Sequence, residues 1–312
     1  MIKNIFGIFF FITLSFAQSS GASTDIKTES KSIENLYTHE LLAIYKEISP
    51  LKELAQKEKK TYIISAIIAI LVFVLFTKYF KFQGFLVSLI MIGSGAYVLY
   101  KNSKNIVDYQ THFKKEIISK ISKNCCGFEF ISSRGINKQM IKKSRIFAPD
   151  IKEFNSIDLY EKDGLKFGFV VATFDTKESA SVERFNKNRF EGFFIVIDGK
   201  SSSDGVMVSD SLREKVANMD IAFNSFFADD KRGKKEGEWS IYGDISKEDF
   251  DRADKLSDKD IAISFYKDKI FLAIYQQGYP FSVDIMSDFT LKKAMFYEDN
   301  FKEIDRVIKY FR

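Results

Sequence analysis

The chain has 312 residues, 47 lysines and arginines against 42 acids, and a formal net charge of +5. Its mean hydropathy of -0.13 excludes a many-spanning transporter, and no dense arginine cluster signals a nucleic-acid footprint. Two cysteines and two histidines leave a conventional zinc site without ligands.

The opening "MIKNIFGIFFFITLSFAQSS" carries Lys3, an apolar run from Ile5 to Phe16, and small residues at Ser15 and Ala17. Residues 1–17 have the shape of a secretory signal cleaved after Ala17, with an uncleaved anchor as the alternative. Residues 18–32 are small and polar and read as a flexible linker.

From Ile33 the apolar residues Leu36, Tyr37, Leu41, Ile44, Tyr45 and Ile48 recur at helical steps. Residues 33–60 are therefore expected to form a juxtamembrane amphipathic helix, bent or restarted at Pro50. Residues 61–100 follow, with Lys78 and Lys81 as their only charges. One helix of that length rises about 60 Å, against a bilayer core of about 30 Å. Two spans turning at Lys78, Gln83 and Gly84 fit better, with Gly93 and Gly95 allowing close helix approach.

Lys52, Lys57, Lys59 and Lys60 precede this pair, and Lys101, Lys104, Lys114 and Lys115 follow it. That bias places both flanks in the cytoplasm, whereas a cleaved signal places them outside. The expectation is a multi-pass protein of a bacterial inner membrane with its C-terminal domain cytoplasmic, or extracytoplasmic if the signal is cut.

Residues 101–124 keep helical spacing and read as a connection. Residues 125–312 change period and are expected to form an aqueous domain. Strands are expected over Leu165–Asp175, Gly192–Asp198, Asp204–Ser209 and Glu238–Asp244, and Asp260–Tyr275 reads as a hairpin turning at Lys267-Asp268-Lys269. Ser209 or Ser211 caps one helix, Ser246 with Asp249 another, and the residues from Asp288 to Phe311 are helical, with a possible break at Asp299-Asn300. The fold class expected is α+β: a mostly antiparallel sheet with flanking helices, preceded by a transmembrane hairpin and juxtamembrane helices.

No phosphate-loop, dinucleotide-binding, nucleophile-elbow or zincin motif is present. Asp163, Asp175, Glu178, Glu191, Asp198, Asp229, Asp230, Asp244 and Glu248 could supply carboxylates for acid–base or metal work. Most stand at turns or helix starts, where carboxylates cap backbone N–H groups. Adjacent Cys125 and Cys126 read as a structural pair. No catalytic, cofactor-binding or metal residue is assigned, and no cofactor is implied.

The stretches "EKDGLKFGFV", Glu178, "RFEGFFIVID" and "WSIYGDISKED", behind a helical segment and a close pair of apolar stretches, resemble an uncharacterised bacterial membrane-protein family known as a domain of unknown function. The resemblance covers residues 33 to 280 and departs at the signal-like start. It implies the same two-span, α+β layout and carries over no functional residue. The function expected is an integral membrane protein that acts as a non-enzymatic scaffold or accessory, touching lipid and binding a protein partner or a second copy through helices. A membrane-anchored sensor or ligand-binding module and a carboxylate-based or metal-assisted enzyme are the alternatives.

Overall fold

The computed structural model describes residues 33–101, 103–147, 151–174, 189–216 and 234–312, with only the backbone described for 76–101. The signal-like segment and the linker lie outside these residues.

In chain order the helices are α1 (Leu42–Glu47, entered through a π turn at Tyr37–Leu41), α2 (Ser49–Lys101), α3 (Lys104–Phe113), a π turn at Lys114–Ile118 and α4 (Ser119–Cys126). Then come β1 (Glu129–Arg134), α5 (Lys138–Lys143), β2 (Ile151–Lys162), β3 (Leu165–Phe174), β4 (Arg189–Asp198), β5 (Asp204–Ser209) and α6 (Asp210–Lys215). The chain continues with β6 (Lys234–Glu236), β7 (Trp239–Asp244), α7 (Lys247–Asp254), β8 (Ile261–Tyr266), β9 (Lys269–Tyr275) and α8 (Leu291–Lys309).

The strands form a nine-stranded sheet in the order β1-β2-β3-β4-β9-β8-β5-β7-β6. Every pairing is antiparallel. Its central strands are apolar on both faces because both faces are covered. Along β3, Leu165, Phe167 and Phe169 enter one core while Val170, Ala172 and Phe174 enter the other. The first core lies under α1, the start of α2, α3, α4 and α8; the second lies under α5 and α6.

Helix α8 shows why this layering holds. Thr290 caps it by accepting from Lys293 N–H at 3.3 Å, and Ala294, Tyr297, Phe301, Ile304, Val307 and Ile308 are buried along one stripe. Full burial of each large side chain contributes about 1.5–3 kcal/mol. The helix runs unbroken through Asp299-Asn300, where Asn300 donates to Phe296 O at 2.7 Å. The side chain is thereby satisfied inside the helix and does not compete for its backbone.

The membrane architecture is corrected. Residues 49–101 are helical throughout, with no non-helical turn at Lys78, Gln83 or Gly84. Lysine and glutamine are ordinary helix formers, and a glycine costs only about 1 kcal/mol there. Among the described residues no helix is long and apolar enough to cross a membrane. The apolar part with described side chains, Thr61 to Leu75, is shorter than the roughly 20 residues a span needs. The transmembrane hairpin, the multi-pass inner-membrane placement, the lipid contacts and the helix-borne oligomer expected from it are withdrawn.

The helices expected beside a membrane are likewise corrected. Ile33, Leu41, Ile48 and Ala55 and then Tyr109, Phe113, Ile117, Ile118 and Ile121 are buried in the core over the sheet. Their apolar stripe packs on strands. The two π turns fit this packing, since a wider turn lets the consecutive Ile117 and Ile118 both face inward. Lys120 and Glu40 pair at 2.7 Å between the two helices.

The run α2 is not one straight rod. Ile106 N–H donates to the Glu58 carboxylate at 3.1 Å, whereas a straight helix from Glu58 to Lys101 would separate its ends by about 65 Å. The run therefore reverses direction within its helical length, and its two ends lie together beside the body.

Candidate functional site

The most deeply buried charge among the described residues sits in a flaw of β2. Ile157 pairs with Phe169 and Tyr160 with Phe167, so Asp158 and Leu159 together face the single residue Gly168. This is a β-bulge, and it re-aims the extra side chain. Asp158 adopts φ 54°, a left-handed conformation that aspartate tolerates better than most residues. Gly168 makes room, because a Cβ there would lie 2.5 Å from the Asp158 carbonyl oxygen.

The bulge turns the Asp158 side chain, 0% exposed, toward the helical layer. Lys114, first residue of the second π turn, donates to it at 2.9 and 3.1 Å. The Tyr279 hydroxyl donates to it as well. The Lys114 ammonium also stands 5.0 Å from the centre of the Tyr279 ring. Phe169 packs against Tyr279 at 5.1 Å, and Tyr160 stacks on Phe167 at 4.9 Å. The Tyr160 hydroxyl is buried with no hydrogen-bond partner among the described groups.

Burial raises the Asp158 carboxyl above its ordinary range, and Lys114 and Tyr279 pull it partly back. Burial also pushes the Tyr160 and Tyr279 phenols well up, so both stay protonated. Chemically, the carboxylate is saturated by a cation and a phenol. Neither of two surface clefts is lined by these residues. One, about 190 Å³, is lined by Glu153, Asn155, Thr173 and Arg189; the other, about 510 Å³, by Glu236, Asp244, Phe250 and Asp251 among others. The cluster anchors the π turn to the bulge rather than offering an acid to a substrate.

Among the described residues, the carboxylates considered from sequence do not converge. Asp175, Glu178, Asp229 and Asp230 lie outside the described residues. Glu191 accepts from Arg189 at 2.9 Å and from Gly278 N–H at 3.0 Å. Asp198 ends β4 and pairs with Lys269, and Asp163 occupies the β2–β3 turn with φ 45°. Asp244 ends β7, and Glu248 lies in the first turn of α7, paired with Arg252. Among the described residues no group of three or more His, Cys, Asp or Glu is arranged to hold a metal. Cys125 and Cys126 are free thiols, and the contact with Cys126, followed by burial, pushes the Cys125 thiol up.

Asp158, Tyr160 and Tyr279 carried no assignment in the sequence, and Lys114 stood only among the basic residues that follow the apolar pair. One signal was present: Asp158 interrupts an apolar stretch, Ile157 to Tyr160, where alternation alone cannot seat Ile157 and Tyr160 on one face. A bulge can, and the register shows that it does.

Fold and site together define the class: an α+β protein with an antiparallel sheet covered on both faces and a buried lysine–aspartate anchor beneath one helical layer. No protein-family model, no curated protein and no solved structure matches the chain. The resemblance to a two-span membrane family is accordingly corrected, as is the integral membrane function drawn from it. No family model supports that layout, and no described helix is long and apolar enough for it.

Proposed function

We propose that this protein is a mounting module, an α+β body that holds the helical run α2 in a defined direction. The observation that carries the reading is Glu58. Its buried carboxylate accepts from the Tyr62 hydroxyl at 2.5 Å and from Ile106 N–H at 3.1 Å, tying the run where it leaves the body and where it returns. A buried carboxylate is costly unless satisfied, and here it is satisfied by Tyr62 one turn on along α2 and by the backbone of Ile106 in the first turn of α3, the helix that follows the run.

What is mounted differs from the body. Ile64, Ile68, Leu71 and Leu75 are each more than half exposed, in a stretch with no charged residue between Thr61 and Thr77. Contiguous apolar surface of this kind marks a surface used in recognition. The body, by contrast, closes its buried charge completely.

The test is to replace residues 63–102 with a short Gly-Ser linker. The expected result is a body that keeps a single cooperative unfolding transition. Loss of cooperative folding would show that α2 is part of the folding core, and the reading would fall.

A further inference from the structure

β2 is twelve residues long, but the strand outside it is short. β1 pairs only with Ile157 to Glu161. Beyond β1, Gly135 N–H donates to Ser156 O at 3.4 Å and the Lys138 ammonium to Ile151 O at 3.0 Å. Between these two pins Glu153, Phe154 and Asn155 pair with β3, while residues 152–155 face no strand on their other side among the described residues. That leaves about 13 Å of open edge at 3.3 Å per residue. The outward N–H and C=O groups of such an edge are a template for another strand.

The rim of this edge is basic. From Ile131 to Phe147 the sequence holds five basic residues and no acidic one. Arg134, Lys142, Lys143 and Lys152 are exposed, and none of the four makes an ion pair with a described residue. The line runs along β2 from Arg134, opposite Ile157, to the Lys138 contact at Ile151, and Lys142 follows on the same face of α5. Glu153, the acid on the edge itself, already accepts from Thr173 at 3.5 Å. We propose that the open edge of β2 receives an extended acidic peptide segment of a partner protein as an added strand, its carboxylates meeting this rim. Main-chain bonds then supply affinity and the charges select the sequence. Lysines along an edge oppose pairing with a second copy of the same edge. Base stacking needs aromatic rings, and the exposed residues of the rim include none. Lying on a lipid surface needs an apolar face, and Ile131 is the one large apolar side chain exposed there. The smaller cleft opens beside the same edge, between Glu153, Asn155 and Arg189, and offers a place to one side chain of the added strand. The site owes nothing to α2, so it does not rest on the mounting role.

The experiment is a titration of the full-length chain with a fluorescein-labelled octapeptide of alternating glutamate and valine, read by anisotropy and by backbone amide shifts. We expect saturable binding with shifts at residues 152–155. Lys142→Glu with Lys143→Glu should weaken it by about tenfold or more, since like charges then meet. Lys57→Glu with Lys60→Glu makes the same change of net charge on α2 and should weaken it far less. N-methylation of alternate peptide amides removes strand-pairing donors and no charge, and should abolish binding. An N-methylated peptide that binds as well overturns the added strand. Equal weakening by the two double variants, or tighter binding of single-stranded DNA of the same charge, overturns the acidic-peptide partner. Absence of shifts at 152–155 with about 1 mM peptide, where affinity is already too weak for recognition, overturns the site itself.

Discussion

Lys114 and Asp158 stand 44 residues apart in the chain and meet at 2.9 Å where the aspartate has no exposed surface. The pair joins the one irregular turn of the α3–α4 helix to the one left-handed residue of β2. Removing one partner of a buried pair strands the other, typically at a cost of about 3–5 kcal/mol. Lys114→Met is expected to destabilise by about that much in urea unfolding. Lys114→Met combined with Asp158→Leu should cost less than the sum of the single changes, because no charge is left stranded. Simple additivity in the double-mutant cycle would show that the two groups are not energetically coupled.

The two aspartates that hold the helical layer have opposite pH behaviour. Burial raises the Asp158 carboxyl above its ordinary 3.8. The folded state then binds that proton more tightly than the unfolded chain. Its contribution to stability is complete below the unfolded value and is lost as pH rises through the folded one. The hydrogen bond from Lys52 lowers the Asp288 carboxyl below 3.8. Its contribution is present above the unfolded value and is lost as pH falls through the folded one. Melting curves should therefore show Asp158→Asn gaining on the wild type as pH rises from about 4, and the gap between wild type and Asp288→Asn closing as pH falls below about 4. A wild-type to Asp158→Asn difference that does not change with pH would contradict the burial of that carboxylate.

Gly168 is required by the bulge it faces. A methyl group there meets the Asp158 backbone oxygen at 2.5 Å, and backbone cannot swing aside as a long side chain would. Gly168→Ala is expected to cost about 1–3 kcal/mol. The loss should come with altered chemical shifts at Asp158 and Tyr279. Wild-type stability in this variant would mean that the bulge relaxes freely.

The division at residue 124 can be tested by expressing residues 125–312 alone. Tyr109, Phe113, Ile117, Ile118 and Ile121 share a core with Phe128, Tyr160, Phe167 and Phe301. Removing the α1–α4 layer uncovers that face of the sheet. We expect the fragment to aggregate or to lack cooperative unfolding, while a chain starting at Ile33 unfolds in one transition. A cooperatively folding fragment would show that α8 alone suffices to cover the face.

Much of the secondary structure was written locally. Alternation and β-branched or aromatic residues marked β3, β4, β5, β7 and the β8–β9 hairpin, whose turn comes at Lys267-Asp268 as Tyr266 pairs with Lys269. Ser209 and Ser246 announced the starts of α6 and α7, and each accepts the N–H three residues on, at 3.4 and 3.2 Å. Such signals depend on a residue and its near neighbours, so a single chain displays them. β2 stayed hidden because Lys152, Glu153, Asn155 and Ser156 dilute its apolar character and the bulge shifts its period. A period of two says which residues share a face but not which strand lies alongside, so β5 between β7 and β8, and β9 between β4 and β8, came from the tertiary structure alone. The same limit explains the helices. An apolar stripe over residues 33–48 and 104–121 states that something must cover it, and lipid, a partner and a sheet all satisfy that requirement equally well. Only the packed chain, with Ile117 and Ile118 closed against the strands and Lys114 reaching Asp158, decided that it was the sheet.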